Sequence, residues 1–294
     1  LSSWAAPRWM AHATILTRAR CSAFRTRSDL PMTRALPRTH FNSSRLTRFL
    51  TENAMIDAAP VTDDVGQKLG DWLNFRQAIA LHGVLNPEPQ PAAQQPAHLR
   101  RVGVMTPEAL TRHVDKVRAQ LEQSIAQGAP SGSGLARIDM PPAELDEPIE
   151  PKTAYEPYRR FYAAHQRQME VSVQTLRSQV RGQLSKSAPS LQQLATLDAA
   201  FENILSEREA ALLGKVSKML EKRFAQALKQ HLKKQADALA EGSDAASATT
   251  VSPMAWLLPL RQALRTALLA ELDTRLQPVL GLLEAFNQNT PQEQ

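Results

Sequence analysis

Between residues 155 and 286 the chain carries three long amphipathic patterns of helical period, separated by only two short breakers, and that stretch dictates the fold class. In the first, predicted over 153–186, Tyr158, Tyr162, His165, Met169, Val173, Leu176, Val180 and Leu184 recur at threes and fours. Tyr158, Met169 and Val180 are spaced eleven residues apart, a period close to 3.67 that keeps the stripe nearly straight instead of winding it left-handed. Ser187-Ala188-Pro189-Ser190 ends it. The second pattern, over 191–240, spans about 75 Å at helical rise and has its seam at Phe201, Leu205, Leu212, Val216, Leu220, Phe224 and Leu228. After the polar residues 242–252, Ser252-Pro253 opens a third, in which Leu257, Leu260, Leu264, Leu268, Leu272, Leu276, Leu280 and Leu283 repeat. The expected class is all-α: an elongated helical hairpin or bundle over 153–290, completed by the Leu-rich C-terminal helix.

The first half is organised more loosely. Ser43 or Ser44 caps a helix reaching about Met55, with Leu46, Phe49, Leu50 and Ala54 on one face. Thr62-Asp63-Asp64 opens another, and Val65, Leu69, Trp72, Leu73, Phe75, Ile79 and Val84 mark its buried side up to Leu85. These two are expected to pack on each other as an N-terminal hairpin within 32–86. Pro87, Pro89, Pro91 and Pro96 make 87–105 a linker. Thr106-Pro107-Glu108 starts a single helix over 106–128, with Leu110, Val114, Val117, Leu121 and Ile125 on its stripe and Gly128 at its end. Residues 129–152 form a second, Pro-rich linker, acidic through Asp139, Glu144, Asp146, Glu147 and Glu150 and expected to be mobile.

The sequence pI near 9.7 comes mostly from one place. Residues 1–50 hold nine Arg against the single acid Asp29, so the remainder is slightly negative. The first residue is Leu1, and 1–31 shows neither helical nor strand period. We read 1–31 as a disordered upstream extension ahead of a start at Met32, the rival being an Arg-rich targeting leader. Cys21 is the single cysteine, which removes disulfide frameworks and Cys-ligated metal sites within one chain. No run of about 18 apolar residues is present, so no membrane-spanning helix is expected.

Two surfaces stand out as candidate partner sites. Lys215, Lys218, Lys222, Lys229 and Lys233 fall on one side of the helix over 191–240, opposite its seam; such a stripe suits phosphates, anionic headgroups or an acidic segment, and equally suits a solvated face. No aromatic residue interleaves with it, which disfavours single-strand nucleic acid. Tyr155, Tyr158, Arg159, Arg160 and Tyr162 are the second: a partner-binding hot spot, or the closure of the hairpin. His165, alone on an apolar face, reads as a packed histidine. No His-Glu-x-x-His, Gly-rich phosphate loop or nucleophile elbow is present, so neither a catalytic residue, a metal site nor a cofactor is assigned.

The stretches 41–46, 155–184 (with His165-Gln166-Arg167-Gln168-Met169-Glu170), 194–224 (with Leu197-Asp198 and Arg208-Glu209) and 270–284 resemble an uncharacterised proteobacterial family, domain of unknown function family 3348. The resemblance spans nearly everything after Met32. It implies a helical protein without assigned activity and an accessory role in an envelope-associated assembly containing a coiled-coil protein. The expectation is therefore a non-enzymatic, cytoplasmic adaptor or scaffold with a protein partner. Its rival is a nucleic-acid-associated or membrane-surface protein that uses the basic face of 191–240 or lays the C-terminal helix in the bilayer interface. Leu228, Leu232 and Leu239, overhanging the shorter helix, predict a homo-oligomer.

Overall fold

The computed structural model describes residues 44–57, 65–86, 103–143, 149–151, 153–240 and 255–289. The readings of 1–31, of the linker 87–102 and of Glu144, Asp146 and Glu147 lie outside them. Seven helices and no strand occur among the described residues: α1 Arg45–Glu52, α2 Val65–Trp72, α3 Phe75–Leu85, α4 Pro107–Gln127, α5 Glu156–Leu184, α6 Pro189–Ala240 and α7 Leu257–Asn289. The all-α expectation holds.

The C-terminal helix is the centre. Helix α7 packs against α1, α4, α5 and α6. Its leucine stripe is only part of its buried surface, because Ala263, Ala267 and Ala270 are as enclosed as Leu264, Leu268 and Leu272. A helix that is apolar nearly all round is one that neighbours surround. Small Ala faces let α7 approach one set of partners closely, while each enclosed Leu contributes roughly 2 kcal/mol. This corrects the expectation of a C-terminal helix free to lie on a membrane or to offer its leucines to a partner.

Helices α5 and α6 form the antiparallel hairpin that the breaker at Ser187 to Ser190 announced. All eight stripe positions of α5, from Tyr158 to Leu184, are buried. On α6 the seam departs from the pattern: Leu213 is buried and Leu212 is 53 % exposed, and nearer the start of the helix Ile204 is buried while Phe201 and Leu205 are only partly so. The overhang is also covered. Leu228 is 2 % exposed and Leu232 packs on the core, because Trp256, just ahead of α7, stacks on His231 at 5.3 Å and reaches Phe224 at 5.6 Å. Leu228 and Leu232 are thus covered within the chain and not left for a second copy; the side chain of Leu239 lies outside the described residues.

Ser44 caps α1 through Thr47 N at 3.2 Å and Thr106 caps α4 through Ala109 N at 3.2 Å, as expected. Gly128, at φ +97°, ends α4 in a conformation that favours glycine. The N-terminal hairpin is not formed. Helix α1 buries Leu46, Phe49 and Leu50 and packs on α7, whereas α3 packs on α6. The single helix expected over 62–85 is broken at Leu73 and Asn74. Asn74 starts α3 with a reciprocal cap: its side chain accepts from Gln77 N at 2.9 Å, and Gln77 Oε1 accepts from Asn74 N at 3.0 Å. Trp72, Phe75 and Ile79, expected on a buried side, are exposed.

The second linker is also more ordered than its composition suggested. Leu135, Ile138 and Met140 lie against the core, and Tyr158 Oη donates to the Pro142 carbonyl at 3.0 Å. This strap and α4 therefore share one core with α5 to α7, although the sequence suggested separate segments.

Candidate functional site

The Tyr-Arg cluster at the start of α5 splits by chemistry. Tyr155, Tyr158 and Tyr162 are 3 %, 1 % and 0 % exposed, so the expected hot spot has its aromatic half inside the molecule. Tyr155 and Tyr158 place their rings 5.2 and 5.9 Å from Phe224 on α6. Burial, and after it the charge of Glu221, holds the Tyr155 phenol above its ordinary value. The arginines stay outside and are committed: Arg159 pairs with Glu156 at 2.8 Å and Glu221 at 2.5 Å, and Arg160 with Glu156 at 3.0 Å. The cluster closes the α5–α6 hairpin.

Deeper along α5 lies a polar group that the sequence reading did not single out. Glu271, in the middle of α7, is fully buried. Its carboxylate accepts from Tyr162 Oη at 2.9 Å, from Gln166 Nε2 at 3.0 and 3.1 Å, and from Arg275 at 2.9 and 3.0 Å. Burial, followed by the adjacent Glu271 charge, pushes the Tyr162 phenol well above its ordinary value. Arg275 extends toward Glu209 of α6 at 3.8 Å. A charged group at this depth is tolerated only with such a partner set. The signal was present as two i, i+4 polar pairs, Tyr162 with Gln166 and Glu271 with Arg275, inside otherwise apolar stripes. Gln166 Nε2 also donates to the Leu213 carbonyl of α6 at 3.3 Å, so the network ties the registers of three helices together.

His165 is one turn from Tyr162, 1 % exposed, with Phe161 edge-on at 4.6 Å and no partner for Nε2. Burial lowers it to about 4, so it is neutral near pH 7. At the far end of the hairpin, Arg177 and Arg181 of α5 grip Asp198 and Glu202 of α6. The shortest contacts are 2.6 Å from Arg177 to Asp198 and 2.5 Å from Arg181 to Glu202. This quartet also escaped the sequence reading, although Arg at i, i+4 facing acids at i, i+4 across a predicted hairpin would have revealed it.

The basic stripe stands where its pattern put it. Lys215, Lys218, Lys222, Lys229 and Lys233 are all exposed on α6, over about 27 Å of helix. No ion pair engages any of them among the described residues. Neighbouring Arg223, by contrast, points inward to Asn53.

Among the described residues no group of three or more His, Cys, Asp or Glu is placed to hold a metal ion, and no helix is long and apolar enough to cross a membrane. The hollow lined by Gln174, Thr175, Ser178, Gln179 and Arg181 is open to solvent. Among known families, the one described as "Protein of unknown function (DUF3348)" matches residues 32–288. No curated protein and no solved structure matches.

Proposed function

Since the chain belongs to the DUF3348 family of proteins of unknown function, which brings no activity with it, we propose from the architecture that it is a non-enzymatic helical scaffold, working in the cytoplasm, that presents the lysine face of α6 to an anionic partner. One observation supports this most. The other polar clusters described above, around Glu271, Asp198 and Glu156, are neutralised from within, whereas the five lysines of α6 stand in water without an acid among the described residues. A row of like charges on a rigid helix repels itself unless a complementary surface is brought to it.

The test is charge reversal. Lys218→Glu, Lys222→Glu and Lys229→Glu combined are expected to leave far-UV ellipticity and the unfolding midpoint unchanged, because these side chains are exposed. Macromolecules cross-linked to the wild-type protein in its native host are expected to be lost from the triple variant. Recovery of the same set by the triple variant would overturn the proposal.

A further inference from the structure

Helix α3 is apolar on two opposite sides. Leu81 and Val84 are half-covered on the side toward α6, while Phe75 is 81 % and Ile79 56 % exposed on the other. A short helix that is apolar all round ordinarily has neighbours all round. Here one side is open to water.

Next to that open side lies charge. Helix α3 packs on α6, on which Ile204 is buried outside the main core and Arg208 stands exposed one turn on. Arg208 anchors the chain just ahead of α3, since its guanidinium sits 5.3 Å over the ring of Trp72, the last residue of α2, and donates to the Trp72 carbonyl at 3.3 Å. At 100° per residue, Ile204 and Arg208 point the same way as Lys215 and Lys222. The lysine stripe therefore continues along α6 from the point where Arg208 holds Trp72, one helix layer below the open face of α3.

That layer is about 8–10 Å thick. A helix in a bilayer interface sinks its apolar side about 5–10 Å into the boundary between headgroups and acyl chains. A membrane that takes up Phe75 and Ile79 would thus meet the lysines at the depth of its phosphates. We propose that this two-level surface docks on an anionic lipid bilayer, with Phe75 and Ile79 inserted and Lys215, Lys218 and Lys222 against the headgroup phosphates. Nucleic acid fits less well, because a phosphate backbone engages the lysines and leaves Phe75 and Ile79 in water. The inference rests on the lysine-face reading above and names the anion it meets.

Flotation of the full chain with vesicles of phosphatidylcholine alone, or with about one-third phosphatidylglycerol, tests it. Binding is expected to the anionic vesicles only. It falls by about tenfold or more in Phe75→Ala with Ile79→Ala, and is lost in Lys218→Glu with Lys222→Glu. Brominated acyl chains quench a tryptophan signal that Trp72→Phe removes. The exposure of Phe75 and Ile79 makes the first double variant harmless to the fold, which its unfolding midpoint verifies. Undiminished vesicle binding by that variant overturns the proposal. So does lysine-dependent binding to duplex DNA without vesicle binding, an outcome that leaves the lysine-face reading standing. Vesicle binding insensitive to the lysines overturns it as well.

Discussion

Tyr162 and Glu271 meet at 2.9 Å in the middle of the bundle, and neither side chain has any surface in contact with water. Their helices, α5 and α7, are held to a single register by that bond, since a shift of one residue on either helix would leave a charge stranded in the core.

Replacing Glu271 by Leu leaves Arg275, 9 % exposed on its side chain, without its closest partner, and is expected to cost about 3–5 kcal/mol. Adding Arg275→Met should recover much of that loss, because a buried pair replaced whole by apolar groups is often neutral. Tyr162→Phe, which removes one donor of several, costs about 1–3 kcal/mol. Urea unfolding of the four proteins measures all three relationships.

His165 makes stability depend on pH in a defined window. Its folded value, lowered to about 4 by burial, lies below the value near 6.5 of the unfolded chain. Between these limits the unfolded state binds the extra proton, so stability is complete above about 6.5 and falls toward 4, by up to about 3 kcal/mol. In His165→Phe the slope of unfolding free energy against pH over that interval should flatten. An unchanged slope would assign the acid sensitivity to other groups.

The quartet at the hairpin end should behave as a unit. Arg177, Arg181, Asp198 and Glu202 keep only 11–16 % of their side chains exposed, so salt screens them weakly. A double-mutant cycle on Arg177→Met and Asp198→Leu is expected to give a coupling of about 1–3 kcal/mol, little changed by added salt. A coupling near zero would place the pair with ordinary surface contacts.

Leu228→Glu separates two accounts of the C-terminal part of α6. With Leu228 enclosed, the acid must enter the core, and a loss of about 3 kcal/mol or more is expected. Were the leucine instead part of a contact between copies, the same change would lower the oligomeric state and spare the fold. Calorimetry and sedimentation on one sample distinguish these.

How much of this was legible differs between elements for physical reasons. Helix α5 could be read in full because a two-sided environment imposes a clean stripe, and all eight of its positions are buried. Helix α4 had cap, proline and terminating glycine in order. Helix α7 was read as a leucine stripe because large side chains dominate such a pattern and hide alanine, whose burial is equally complete at Ala267 and Ala270. At α3, the Asn74 to Gln77 cap competed with an unbroken apolar pattern and won, since a reciprocal cap satisfies two backbone donors that a pattern cannot. The lysine face was placed correctly by the helical wheel alone, yet α3 beside it was not, because packing partners far apart in sequence leave no local trace.

The central position of α7 sets an order of events during synthesis. Helices α1, α4, α5 and α6 all leave the ribosome before the helix they surround. Until it follows, Phe49, Leu121, Met169 and Phe224 have no common core to enter. The nascent chain must therefore carry these stripes in a collapsed but unassembled state, the condition in which chaperones are recruited and off-pathway pairing competes. Assembly of the common core therefore waits for α7, which follows the four helices that surround it.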